Sequence, residues 1–325
     1  MYGYEVFHNS IAKNLIDTAR SGEIRNAYIF EGAKGIGKKE TARLAAAAMC
    51  CRNPAAAPCG SCPACIGSKA NTNPDIIYVS CRDKKSIGVE TIREISADVY
   101  IKPFETGRKV YIIEDGDLIT EQAQNAFLKI LEEPPEYVVF IILVSNVSML
   151  LQTIISRCTV IRFAPLKKDI VKKYIEEKYP DADAEFLSNY AEGNIGKADA
   201  AMEKEDFFAL RERAFKMLTP LMSRHKISAY RITEFLEENK EDAAFILETW
   251  QKMIRDMIFI RCGAKEQLIN SDMAEPLGEL AWKIPGKTLH IVSERLVIAS
   301  EMQRRYVNLR AMALNLALSI KKAAY

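Results

Sequence analysis

The sequence predicts an α/β domain built around a phosphate-binding loop, followed by an all-α half. Three observations carry this. Short apolar, β-branched runs alternate with amphipathic helical segments as far as Pro165, and a Gly- and Lys-rich turn at 32–39 separates the first such strand from a helix. After Pro165 the strand signal disappears. Strands alternating with helices imply parallel pairing in a sheet covered on both faces.

Taken in order, residues 10–20 place Ile11, Leu15, Ile16 and Ala19 on one helical face, and Gly22 follows as a C-terminal cap. Ala27–Phe30 is a short buried strand, and an Ala-rich helix runs from Glu40 to Met49. Further strands are expected at 75–80, 109–115, 138–145 and 159–163, with helices at 89–102, 120–132 and 148–157. From Lys167 onward successive amphipathic helices are broken weakly at Gly193–Gly196 and at Thr219–Pro220. The expected division is an α/β domain at 1–165, a small helical unit at 166–208 and a larger helical bundle at 209–325. No internal repeat is present.

Composition excludes several classes. Among 325 residues, 49% are hydrophobic and 27% charged, which is the make-up of a packed globular chain and not of a disordered or collagenous one. Forty-five Lys and Arg against 43 Asp and Glu leave a net charge of +2, so any nucleic-acid contact has to be local. The first residues, MYGYEVFH, lack a basic stretch leading into an apolar core, which predicts a cytoplasmic protein. Residues 137–156 carry no charge, but Ser145, Asn146, Gln152 and Ser156 interrupt them; a buried strand and a helix are expected there, and no membrane partner. In a reducing compartment the eight cysteines suit metal binding or burial better than disulfides.

Residues 32–39, GAKGIGKK, fit G-x-x-x-x-G-K between a strand and a helix. Backbone N–H groups and the helix dipole can hold phosphate oxygens there, with Gly32, Gly35 and Gly37 allowing the turn and Lys38 neutralising the β and γ phosphates. The next position normally supplies a Ser or Thr hydroxyl to Mg²⁺, and Lys39 can offer no such ligand. The strand at 109–115 ends in Glu114-Asp115, whereas P-loop ATPases commonly end it Asp-Glu. Each carboxylate is thus displaced by about one methylene, and a misplacement near 1 Å can cost on the order of 10²-fold in rate. Plain solvated carboxylates at a strand end are the structural alternative.

Cys50, Cys59, Cys62 and Cys65 bring four thiols within sixteen residues through two C-x-x-C steps and a thiol at the end of the preceding helix. Four thiolates around one Zn²⁺ make a closed structural site. An iron–sulfur ligand run would want Cys at 69, where Lys stands. Cys51 competes for the first ligand position. Cys81, Cys158 and Cys262 stand alone and are expected to be buried small apolar groups. His8, His225 and His290 are assigned no chemistry.

The order of motifs is more specific than any one of them. A helix precedes the loop, a four-Cys insert follows its helix, and then come Lys109-VYIIEDGDLIT120, Leu131-Glu-Glu-Pro-Pro135 and Ser156-Arg-Cys158. Over at least residues 1–200 this resembles the AAA+ clamp-loader family of bacterial DNA polymerase III, and the cysteine insert narrows it to the gamma/tau and delta prime group. Within that group the damaged nucleotide site resembles the delta prime branch.

The resemblance implies a RecA-like AAA+ P-loop domain with an inserted zinc module, a helical lid and an all-α collar that joins a hetero-pentameric ring. Implied partners are gamma/tau and delta subunits, the β sliding clamp and, through the complex, primed DNA. Active motors of the family carry Gly-Ser-Leu-Arg-Asp-Ala in the lid; here the stretch is Gly193–Ala198 and Gly196 replaces the arginine, leaving Lys197 as a substitute. Weak or absent ATP/ADP binding and no intrinsic ATPase are therefore expected, within a complex that belongs to a DNA-directed DNA polymerase. Arg157 would act in trans as an arginine finger on a neighbour's ATP, against the plainer role of a salt-bridged surface arginine. The helix after Glu121, with Gln122, Gln124, Asn125 and Lys129, would face the DNA backbone. Lys167, Lys168, Lys172 and Lys173 are better read as a solvated face.

Two other readings remain open from the residues. A gamma/tau-type ATPase motor is opposed by Lys39 and by the ending at Tyr325. A cysteine module that itself binds nucleic acid or a partner is opposed by the lack of basic or aromatic residues in 54–58.

Overall fold

A computed structural model describes residues 6–81, 86–223, 226–305 and 307–324, without the side chains of residues 226, 227, 304, 323 and 324. His225 falls outside these residues. Residues through Ile170, together with Gly193–Gly196, form one compact unit; Val171–Glu192 and the residues from Lys197 onward form a second.

In the first unit the elements run α1 (Asn9–Ser21), β1 (Ala27–Glu31), α2 (Lys38–Met49), α3 (Pro63–Ala70), β2 (Ile76–Val79), α4 (Val89–Asp98), β3 (Lys109–Ile113), α5 (Glu121–Glu132), β4 (Val138–Val144), α6 (Gln152–Ile155) and β5 (Thr159–Arg162). The strands form one parallel sheet in the order β2-β3-β4-β1-β5. Side chains alternate between its faces. Tyr28 and Phe30 of β1, with Val110 and Ile112 of β3, join the core under α1 and α2, while Ala27, Ile29, Tyr111 and Ile113 join the core under α4 and α5. All seven residues of β4 are buried, as a central strand covered on both faces requires.

The expected helix over 148–157 contracts to α6, four residues long, because Leu150 and Leu151 are extended, with ψ of 150° and 140°. A short 3₁₀ turn at Val147–Met149 takes the remainder. The uncharged stretch is therefore a buried strand, a turn and a single helical turn. No helix among the described residues is long and apolar enough to cross a membrane.

The second unit is helical: α7 (Lys168–Lys178, which begins in the first unit), α8 (Ala184–Ala191), α9 (Ile195–Glu203), α10 (Phe207–Lys216), α11 (Leu218–Leu221), α12 (Lys226–Glu238), α13 (Ala243–Arg261), α14 (Ala274–Lys283), α15 (Gly286–Arg304) and α16 (Leu309–Ala324). Its core is centred on α13, where Trp250 is fully buried and donates its indole N–H to Ala214 O at 2.7 Å. A carboxylate buried in this unit, Asp256, accepts the Ile269 and Asn270 N–H groups at 3.1 and 2.7 Å, so its charge is met by donors. Lys172 and Lys173 pair with Glu185 and Glu177 at 2.9 and 3.8 Å, as a solvated helix face would.

Candidate functional site

The phosphate loop leaves β1 at the carboxyl edge of the sheet, where parallel α/β folds accept ligands, and enters α2. Gly35 and Gly37 hold φ of +83° and +100°, a left-handed backbone that favours glycine. Lys38 is buried, and its ammonium donates to Gly32 O and to Ala33 O, the latter at 3.0 Å. It thereby ties the end of the loop to its start. Burial lowers the Lys38 pKa, and the nearby Asp117 carboxylate opposes that shift. The N–H groups of the first turn of α2 have no acceptor within the helix, so the cradle is open to anions.

Residues 193–196 pack directly against this loop. Asn194 Nδ2 donates to Lys34 O at 2.8 Å, and Gly196 N–H donates to Gly35 O at 3.1 Å. A Cβ on Gly196 would meet Gly35 Cα at 2.6 Å. No side chain therefore fits at 196 in this packing. Lys197 is engaged elsewhere, 2.8 Å from Glu248 and 3.7 Å from Glu192.

Lys39 extends to Glu114, with its ammonium 2.8 and 3.0 Å from the two carboxylate oxygens. Glu114 follows β3 directly, and its N–H donates to Val79 O at 2.7 Å. Asp115 takes φ +54°, capping a 3₁₀ turn at Gly116–Leu118. Asp117, absent from the sequence expectation, accepts the N–H groups of Ser145 and Asn146 at 2.7 and 3.1 Å. Glu31 accepts the Val147 N–H at 3.1 Å and pairs with Arg162. These two acids fix the loop after β4 beside the phosphate loop. His8, likewise passed over, donates Nε2–H to Ile36 O at 2.9 Å and lies edge-on to Phe163. Nothing in the sequence marks it, because its partner is twenty-eight residues away.

In the cysteine module one ligand is corrected. The Sγ atoms of Cys51, Cys59, Cys62 and Cys65 all lie within 4.8 Å of one another, and Cys50 is outside this group. Cys50 caps α2 and continues its helical turn; successive helical side chains diverge by about 100°, so only one of two adjacent cysteines can face the module. The Cys50 thiol instead reaches Arg108 O at 3.6 Å, and burial pushes it up to about 12, a poor thiolate.

The Cys51 sulfur accepts the Asn53 and Cys59 N–H groups at 3.4 Å each, Cys59 that of Cys62 at 3.3 Å, and Cys62 that of Cys65 at 3.4 Å. At Cys51 burial outweighs these donors and pushes the thiol up. Backbone N–H groups of Ser61 and Cys62 bring Cys59 down to about 6, while burial pushes Cys65 up. Four convergent sulfurs, three of them receiving backbone hydrogen bonds, fit a tetrahedral thiophilic ion. Of the lone cysteines Cys81 is buried, Cys158 is half-buried, and Cys262 is exposed at the end of α13, against expectation.

Arg157 follows α6 and is 36% exposed. One guanidinium nitrogen lies 2.9 Å from Glu132, the last residue of α5, and the other donates to Thr153 O at 3.0 Å. Gln124 is a correction: its side chain is buried, donating to Ile119 O and Met149 O at 3.1 Å each and accepting the Leu151 N–H at 2.7 Å. It shapes the approach to α6 and cannot reach DNA. Gln122, Asn125 and Lys129 are exposed on α5.

Residues 7–167 match the protein family described as "DNA polymerase III, delta subunit". The chain is similar to the DNA polymerase III subunit delta' of Bacillus subtilis, with 27% identity over 321 residues, covering 96% of this chain and 95% of that protein. It is also similar to the subunit tau of the same organism, with 27% identity over 307 residues; that alignment covers 86% of this chain and 54% of the longer relative. Among solved structures, a gamma subunit-related protein of Thermotoga maritima aligns over 98% of this chain and all of its own, at 19% identity and a TM-score of 0.49.

Proposed function

We propose that this chain, which belongs to the DNA polymerase III clamp-loader family of delta prime and gamma/tau subunits, works as its delta prime-type member: a stator that does not hydrolyse ATP itself. In this reading it joins gamma/tau and delta subunits in a five-membered ring and helps to open the β sliding clamp and place it on primed DNA. Residues 166–208 serve as a lid and 209–325 as a collar. Arg157 reaches the γ-phosphate held by a neighbouring subunit, where such fingers are worth on the order of 10³–10⁵ in rate. Gln122, Asn125 and Lys129 offer donors to the DNA backbone without reading bases.

The observation that carries this reading is the Lys39–Glu114 pair at 2.8 Å. It puts an ammonium where a catalytic P-loop needs a hydroxyl ligand for Mg²⁺ and occupies the neighbouring acid. Gly196, packed on Gly35, adds the loss of an arginine that would sense the γ-phosphate.

Cys51, Cys59, Cys62 and Cys65 would hold Zn²⁺, which supplies a structural cross-link when bound. Around it, the chain's own N–H···S hydrogen bonds keep the sulfurs turned inward.

A gamma/tau-type motor is the second reading. One observation favours it: the loop is already strapped by Lys38 with its amides open. The deciding experiment is ATP hydrolysis by the purified chain with Mg²⁺. The stator reading expects turnover at background level, and motor-like turnover overturns it.

A further inference from the structure

The stator reading treats Lys39 as a lesion. The geometry supports a more specific role. The Lys39 side chain is 55% exposed, and its ammonium is paired with both oxygens of Glu114, at 2.8 and 3.0 Å. Glu114 in turn is fixed at the end of β3 by its own N–H bond to Val79 O at 2.7 Å. Lys39 sits in the first turn of α2, so its side chain leaves from the rim of the open amide cradle. An ammonium paired with a carboxylate thus stands beside the turn that carries the metal-ligating hydroxyl in other P-loop proteins.

The rest of the cradle is intact. Lys38 straps the loop through Gly32 O and Ala33 O, and Gly35 and Gly37 keep the left-handed turns that point successive amides inward. Asn194 and Gly196 donate to loop carbonyls, those of Lys34 and Gly35, and Ile36 N–H is taken by Ala33 O at 3.2 Å, so the amides open to a ligand are those of the first turn of α2. Of the acids that follow β3, Glu114 is paired with Lys39 and Asp117 accepts the Ser145 and Asn146 N–H groups. A hydrated Mg²⁺ arriving on a nucleotide would therefore find Glu114 already paired and would meet an ammonium at close range.

We infer that this loop binds the polyphosphate of a nucleotide in its metal-free form, with the Lys39 ammonium standing in for Mg²⁺. The inference rests on the stator reading, because a cation that cannot activate an attacking water suits binding without hydrolysis. It inverts the usual metal dependence. In an ordinary P-loop Mg²⁺ tightens nucleotide binding. Here Mg²⁺ competes twice, by claiming the phosphates in solution and by repelling Lys39 in the site.

The test is calorimetric titration of the full chain with ADP and with ATP, once in EDTA and once in excess Mg²⁺. The expected result is binding in EDTA that weakens by about tenfold in Mg²⁺, since removing one well-placed charge contact changes affinity by roughly that factor. Lys39→Thr should reverse the order, binding more tightly with Mg²⁺ than without. The wild-type comparison stands even if that variant folds poorly. Tighter wild-type binding in Mg²⁺ than in EDTA overturns the inference, as does no binding of either nucleotide under both conditions. No binding at all would leave the stator reading standing, whereas Mg²⁺-dependent hydrolysis would remove both.

Discussion

The Arg157 guanidinium and the Glu132 carboxylate lie 2.9 Å apart, joining the residue after α6 to the last residue of α5. Both groups are substantially solvent-exposed, so the pair adds less than about 1 kcal/mol to stability. A phosphate can displace a carboxylate from an arginine at little cost, and in the proposed assembly Glu132 holds the finger until a neighbour's nucleotide arrives. Arg157→Ala is expected to leave ring assembly intact and to lower DNA-stimulated ATPase of the reconstituted complex by at least about tenfold, given the usual size of finger effects. Unchanged turnover would remove the finger role. Glu132→Gln should preserve assembly and turnover while shifting the thermal midpoint only slightly.

Gly196 touches Gly35 so closely that a methyl group has nowhere to go. Gly196→Ala is expected to destabilise the chain by about 1–3 kcal/mol, the usual cost of overpacking a tight contact. A fall in the denaturant midpoint at unchanged slope would show this. Gly196→Ala with wild-type stability would mean that the close approach of residues 193–196 to the loop is wrong.

The corrected cysteine set separates two adjacent residues. Zinc measured on the purified protein should approach one per chain in the wild type and in Cys50→Ala, and fall sharply in Cys51→Ser. The reverse pattern would restore Cys50 as the ligand; zinc absent from the wild type would remove the metal site.

His8 gives a pH signature. Burial lowers its pKa below the ordinary 6.5, and the Nε2–H bond to Ile36 O opposes that shift without reversing it. The unfolded state therefore binds a proton more readily. Stability from this group is present above pH 6.5 and is lost as pH falls through the lower folded value. Urea midpoints measured across that window should rise with pH, and His8→Gln should flatten the rise. An equal slope in the variant would assign the pH dependence to other groups.

Much of the first unit was legible in the sequence because its signals are local. The parallel strands, the loop between β1 and α2, and the end of strand signal at Pro165 follow from side-chain periodicity and from the spacing of glycines. The helix expected over 148–157 shortens to α6 for a reason that is not local: an apolar run looks alike whether Gln124 accepts the Leu151 N–H of an extended segment or a helix continues.

What the sequence by itself determined is the chemistry available: a glycine-rich turn with a lysine behind it, a second lysine where a hydroxyl is usual, and four or five thiols at metal-binding spacing. Tertiary structure alone decided how that chemistry is used. It chose Cys51 over Cys50 through the rotation of one helical step, turned Gln124 inward, paired Lys39 with Glu114 across 75 residues, and seated Gly196 on Gly35. Each of these outcomes depends on the direction of a side chain relative to a partner distant in the chain. Residue spacing carries no record of that direction until the sheet and its helices are packed.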